Sequence, residues 1–387
     1  ACLQSEANNL MLHEDLQERM ILFRYSFIRK PLHIFRTVPP VLTAEFAEGF
    51  ERVKKEIMCS LIGCPSNELS LLDFELCKFP IHKGGFGINE VVEISKAAFV
   101  ASLIDYHQQN GFCLTELLEA PNRGFHLQQL VETSNLFLAD GMHIADLLLM
   151  TRLAESDSTV QHQLCEKLSA ARFDTVMDSI KIRNSRHFVW VRGLQNEVAG
   201  KWLEIIPQYN KLRMPAIKFR AALRHRMFLK AENFIPGIRC ACSRRGQPVF
   251  LDMYGHHLTT GCNTNNTRIV LHDGVKKELN YCLQYSGYWT LEEERNLFIR
   301  RTERRRPYDE HNLRPDISIL NYNGNAARLL LDVSIPATLS YANGNRVSTT
   351  DLGKRAQAAH EDKIDKYGEL SRINGFSFKP IIFESLY

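Results

Sequence analysis

Residues 312–336, NLRPDISILNYNGNAARLLLDVSIP, constrain the fold more than any other part of the chain. Two runs rich in aliphatic residues flank Asn323-Gly324, a dipeptide suited to the left-handed backbone of a two-residue hairpin turn. Each run carries one aspartate: Asp316 directly after Pro315, and Asp332 directly before Val333. Aspartate is disfavoured in strands, and two carboxylates brought together repel unless a proton or a cation joins them. With the turn at Asn323-Gly324, Asp316 falls opposite either Leu331 or Asp332. In the second register the two carboxyls face each other about 5 Å apart. Alternation fits that register: Asp316 and Ser318 share one side, Asp332 and Ser334 share one side, and Ile317, Ile319, Leu331 and Val333 form a buried face. Carboxylates so placed suit a hard divalent cation such as Mg²⁺. The bland alternative is that Asp316 opens a strand and Asp332 pairs with an arginine. The following helix offers Lys363, Lys366 and Tyr367, whose spacings of three and four put them on one face. That face is otherwise a solvated one, with Glu361, Asp362 and Asp365 as partners.

At 387 residues the chain exceeds one ordinary core, and two or three domains are expected. Residues 1–235 read as helical. Apolar residues recur at helical spacing from His13 to Phe35, from Leu42 to Gly63 (with Thr43 as cap after Pro39-Pro40), and from Asn89 to Gly111. The pattern continues through residues 159–181 and 193–210. The texture changes near Pro236-Gly237, where a Cys/His cluster, a helix and the hairpin follow. Between that helix and the hairpin, YWTLEEERNLF reads as a short strand passing into a helix, with Thr290 and Glu293 as a capping box. An alanine-rich helix over 351–370 and a last strand near the C-terminus complete a mixed α/β region. The predicted class is α+β: a helical region (1–235), a small cysteine-rich module (236–267) and an α/β domain with a mixed sheet (268–387).

Apolar residues make up 44% of the chain and charged residues 24%, a globular composition without an uncharged run long enough to span a membrane. The N-terminus lacks Met and a basic-then-apolar leader pattern, so the chain reads as part of a longer protein. Six cysteines from Cys2 to Cys165, and Cys282, lack ligand spacing and read as free thiols of a reducing, nuclear or cytoplasmic compartment. Cys240, Cys242 and Cys262 differ. Two close cysteines on a turn, followed by His257 and Cys262, supply four ligands for a structural zinc. His256 is a rival to His257, and three free thiols are the alternative. The net charge of +4 lies wholly after residue 237, with 21 Lys and Arg against 17 Asp and Glu. It concentrates in RRTERRR, where Arg300, Arg301, Arg304, Arg305 and Arg306 suit a phosphate backbone or simply a solvated helix end. Arg244, Arg245 and Arg268 flank the cysteines, where they suit contact with nucleic-acid phosphates.

The run RPDISI…LLLDVSI…K…KY resembles the PD-(D/E)xK, or restriction-like, endonuclease domain. It is similar in particular to the version at the C-terminus of non-LTR retrotransposon polyproteins. The resemblance implies that Asp316 and Asp332 bind Mg²⁺. The usual lysine two residues after the second acid is replaced by Ser334, and Lys363 on the next helix is the matching candidate. Lys366 and Tyr367 match a recurrent K..KY run. Such polyproteins carry a Cys-Cys-His-Cys knuckle before the nuclease, followed by an arginine and a histidine, the places of Arg268 and His272. His272 would either join the site or cap its helix. The segments LHIFRTVPP, FPIHKGGFGINEVVEISKAAFVASL and AGKWLEIIP resemble the region after the polymerase palm, whose paired aspartates are absent. The implied activity is Mg²⁺-dependent nicking of DNA at an integration target. DNA, the element's RNA and the rest of the polyprotein are the implied partners. An inactive, zinc-containing, nucleic-acid-binding remnant is the alternative, favoured by Ser334.

Overall fold

A computed structural model describes residues 2–109, 160–196, 199–208, 213–232, 235, 237–244, 247–254, 262, 267–295, 297–298, 313–322, 324, 327–336 and 353–383. The chain divides into two compact units, Ala1–Glu232 and Asn233–Tyr387, and its class is α+β. Among the described residues, no helix is long and apolar enough to cross a membrane.

The described part of the first unit is helical: α1 (Cys2–Leu12), α2 (Leu16–Tyr25), α3 (Leu32–Thr37), α4 (Pro40–Ile62), α5 (Leu71–Lys78), α6 (Val91–Gln109), α7 (Val160–Arg183), α8 (Ser185–Gly193) and α9 (Ala216–Arg226). Local chemistry sets the ends. Asp15 accepts from the Gln17 and Glu18 amides at the start of α2, and Ser70 accepts from the Asp73 amide at the start of α5. Helix α4 starts earlier than expected, because Pro40 at its first position loses no hydrogen bond. Thr43 is therefore not a cap; it lies inside the helix, its hydroxyl donating to the Pro40 carbonyl. Met20, Phe23, Ile57, Leu61, Phe79, Phe86 and Phe219 belong to one buried cluster.

Residues 194–196 and 199–208 do not continue the helical pattern. They form turns and a single 3₁₀ turn, Lys201–Leu203. Side chains take carbonyls of this segment: Arg226 Nη1 donates to Ala199 O (3.1 Å) and Arg24 Nη1 to Leu203 O (3.2 Å). At Gly200 the chain passes so close to Ile81 that a Cβ would lie 1.9 Å from Ile81 Cγ2. Gly111, the expected end of α6, lies outside the described residues.

The second unit contains an antiparallel pair, β1 (Arg239–Arg244) and β2 (Gln247–Phe250), followed by α10 (Thr267–Tyr285). It also contains a four-stranded sheet in the order β3 (Trp289–Glu292), β4 (Ile317–Tyr322), β5 (Ala327–Ser334), β6 (Ser377–Ile382). The first three strands are antiparallel; β6 joins β5 in parallel after α11 (Lys354–Ile373). The expected helix after β3 is not formed. Glu293 adopts φ +48°, and residues 294, 295, 297 and 298 are irregular, so Thr290 and Glu293 make no capping box. Leu297 and Phe298 instead pack on the sheet.

Both faces of the sheet are covered, which corrects the single buried face expected from alternation. Ile317, Ile319, Leu329 and Leu331 pack with Leu279 and Leu283 of α10. On the other side Leu330 packs with Leu313, Tyr367 and Leu370. Ser318, expected on the polar side, is fully buried. Leu330 is the centre of that second layer, with no exposed surface. Leu330→Ala is expected to cost about 2–5 kcal/mol, read as a lower denaturant midpoint for the second unit with an unchanged slope.

Candidate functional site

The β4–β5 pairing sets Ile317 against Leu331, Ser318 against Leu330 and Ile319 against Leu329. The last pair at this end is Ile317 with Leu331; Asp316 directly precedes β4, and Asp332 follows Leu331 within β5. Asp316 Oδ2 accepts the Val333 amide at 2.7 Å. His272 Nε2 lies 3.2 Å from the same Asp316 oxygen and 3.3 Å from the Val333 carbonyl; its Nδ1 is 3.2 Å from Asp273 Oδ1. His272 is thus no cap. It sits in the second turn of α10, with both ring nitrogens facing oxygen atoms.

Asp332 is 3% exposed, and Lys363 of α11 forms an ion pair with its Oδ2. Burial raises the Asp332 pKa above the ordinary carboxylate value, and the Asp316 charge adds to the rise; together they outweigh Lys363 and Lys366. Tyr367, one turn beyond Lys363, is 2% exposed and donates from its hydroxyl to the Arg314 carbonyl at 2.9 Å. Burial and then Asp332 raise its pKa. A buried phenol held in its protonated form packs the sheet against α11, beside Phe298 and Phe378. Lys366 Nζ lies 5.0 Å from the Tyr367 ring centre.

Two further residues line this end of the sheet and went unnoticed in the sequence. Lys276, 5% exposed and one turn after His272, pairs with Glu293, which in turn lies 3.6 Å from Arg314. Burial lowers the Lys276 pKa, but Glu293, Asp273 and Asp316 reverse the sign and raise it. The i, i+4 spacing of His272 and Lys276 was the available signal; the capping-box assignment of Glu293 concealed it.

The cysteine centre lies on a strand, not a turn. Cys240 and Cys242 lie in β1, within the stretch where its register against β2 is irregular. Cys262 joins them, and the three buried sulfurs all lie within 4.8 Å of one another, close enough to bind a metal ion. Cys240 and Cys262 Sγ are 3.4 Å apart. Tetrahedral thiolate coordination, with Zn–S bonds of about 2.3 Å, would set sulfurs slightly under 4 Å apart, so the spacing is of the order such a site needs. Burial, followed by the adjoining Cys240 and Cys262, pushes the Cys242 thiol up to about 11. His256 and His257, and Arg245, Arg300, Arg301, Arg304, Arg305 and Arg306, lie outside the described residues. Arg244 ends β1 and Arg268 lies in the first turn of α10. Cys282 is exposed and, like Cys59, Cys64, Cys77 and Cys165, a free thiol.

No family model and no curated protein matches the chain.

The raised Asp332 pKa has a definite sign. A carboxyl that holds its proton more tightly folded than unfolded loses stability as pH rises from the unfolded value through the folded one. Asp332→Asn removes that loss. In metal-free protein its stability relative to the wild type is expected to rise with pH across that window and stay level above it. Urea unfolding from about pH 4 to about pH 8 measures this; a difference that falls with pH would mean that ionised Asp332 stabilises the fold.

Proposed function

We propose that residues 268–387 form a Mg²⁺-dependent, restriction-like DNA endonuclease domain, preceded over 236–267 by a zinc knuckle, within the C-terminal portion of a non-LTR retrotransposon polyprotein. The observation that carries the reading is that Asp316 and Asp332 stand at one end of the β4–β5 ladder, with Lys363 against one carboxylate and His272 against the other. The donors fit a hard cation. The Asp316 and Asp332 carboxylates and the Val333 carbonyl are oxygen ligands, and Asp332 is a buried acid whose charged form is disfavoured until more positive charge arrives. When bound, Mg²⁺ supplies polarisation of a phosphoryl oxygen and a lowered pKa for a coordinated water.

The chain's own groups have separate tasks. His272 and the Val333 amide hold Asp316 in one orientation. Lys363 carries an ammonium to the charge that develops on the phosphate oxygens. In the reaction, one P–O bond forms to a water oxygen and one ester P–O bond breaks, the leaving alkoxide taking a proton. Lys366 would meet the phosphate backbone, and the Arg300–Arg306 run supports DNA and RNA as partners.

Supercoiled plasmid is expected to be nicked with Mg²⁺ and not with EDTA. Asp316→Asn and Asp332→Asn each lower nicking about a hundredfold or more, while retention on a DNA column at low salt is unchanged. Nicking that survives Asp332→Asn ends the proposal; a wild type that is retained but never nicks is the inactive nucleic-acid-binding remnant.

The cysteine centre has its own test. Purified protein is expected to carry one zinc per chain, and Cys242→Ala and Cys262→Ala are expected to lose it. Cobalt substitution should give a thiolate charge-transfer band in the wild type alone. Zinc-free wild type with three freely titrating thiols would remove the knuckle from the reading.

A further inference from the structure

Cations inside the first unit are held in two ways: Arg19, Arg224 and Arg226, all buried, donate to backbone carbonyls from their Nε and Nη atoms, and others meet carboxylates. Lys54 meets Glu51; Lys78 meets Glu51, Glu75 and Glu90; Arg172 meets Glu75, Glu90 and Glu93. Arg24, in the last turn of α2, is different. It is 8% exposed and forms no ion pair among the described residues. Its Nη1 donates to the Leu203 carbonyl, while its buried Nε has no hydrogen-bond partner among the described residues. A buried, incompletely satisfied guanidinium is costly unless an anion meets it.

Two cavities converge on this side chain. One, of about 360 Å³, has Ile28, Phe35, Val91, Arg29 and His162 in its wall and no carboxylate. The other, of about 700 Å³, is lined by His82, Asn196, Lys201 and Glu204, and Glu204 lies 3.4 Å from Lys201. Arg24, Gly87 and Asn89 line both. Gly87 has φ +69°, and a Cβ there would stand 3.3 Å from Arg24 Nη2, so the glycine keeps space open against the guanidinium. Tyr25, 47% exposed, lies beside it, with the Arg24 and Arg29 guanidinium carbons 5.0 and 6.0 Å from its ring centre.

The geometry points to a nucleoside-phosphate site in the first unit: Arg24 and Arg29 take the phosphate, and the apolar wall of Ile28, Phe35 and Val91 takes the base. The first cavity falls in the size range of small-ligand pockets. The planar guanidinium fork matches phosphate oxygens two at a time. Desolvation lowers the Arg24 pKa, more than Tyr25 and the Glu204 charge raise it, and a bound dianion would oppose that remaining change. A free nucleotide and a nucleotide within a single strand present the same chemistry. The site is independent of the nuclease reading.

Calorimetry on the full chain in Mg²⁺-free buffer, with 5′-AMP, adenosine and an oligo(rA) strand as probes, tests the assignment. 5′-AMP is expected to bind about tenfold or more tightly than adenosine, the worth of charge-assisted contacts to the phosphate. Arg29→Gln alters only an exposed side chain and should keep the melting temperature while weakening 5′-AMP about tenfold. Arg24→Lys keeps the charge but loses the fork, and should weaken it similarly. If 5′-AMP displaces oligo(rA), the strand occupies the site; if it binds without displacing it, the free nucleotide does. Equal affinity for adenosine and 5′-AMP, or unchanged 5′-AMP affinity in a folded Arg29→Gln, overturns the assignment.

Discussion

The pairing of β4 with β5 is the constraint on which the second unit depends. A strand shifted by one residue turns every side chain to the opposite face. Here such a slip would set Asp316 against Leu331 and move Leu330 out of its contact with Tyr367 and Leu370. Both faces are buried, so a slip would put polar groups into apolar layers on each side. Asp316 adds a polar lock, because its carboxylate accepts the Val333 amide from the opposite strand. The irregularity between Ile319 and Tyr322, where Asn321 takes φ +53°, confines the distortion to the turn end and leaves the aspartate end regular.

What could be read in advance follows from how local each signal is. The order of helix, strand, hairpin, helix and strand in the second unit was legible, because each element has its own hydrophobic period. The register of β4 against β5 was one of two left by the turn, and the strand pattern favoured it. The layer over Ser318 was not legible. Alternation assigns polar residues to solvent, and only the return of α11 across that face buries them. The fate of residues 199–208 was equally hidden, because Arg24 and Arg226 lie far in sequence from the carbonyls they take. His272 carried two readings, and only the position of α10 beside the start of β4 separates them.

Charge is handled differently in the two units. In the first, Lys54, Lys78 and Arg172 lie among four glutamates that tie α4, α5, α6 and α7 together. Such a buried network is strongly destabilised by removal of one member, although its formation adds little net stability. At the Asp316–Asp332 end the balance is incomplete: Lys363 approaches Asp332, yet burial and Asp316 still disfavour the ionised acid. The proposed cation would relieve that imbalance, which an ordinary structural salt bridge would not leave.

Ser334 and Lys363 bring the argument to its geometric point. Residue 334 lies two beyond Asp332 on the same strand and shares its face, so a lysine there would reach the carboxylate from within β5. Serine cannot, and the ammonium arrives from α11 instead. A helix can deliver it reproducibly only if its height over the sheet is fixed. Tyr367 supplies that fixation. It stands one turn from Lys363, is buried against Phe298 and Phe378, and donates to the carbonyl of Arg314, two residues before Asp316. One phenol therefore sets the position of the helix that carries the amine and anchors the chain that leads into the first acid. Loosening Tyr367 would disturb Lys363 and Asp316 together, although its hydroxyl bonds to neither.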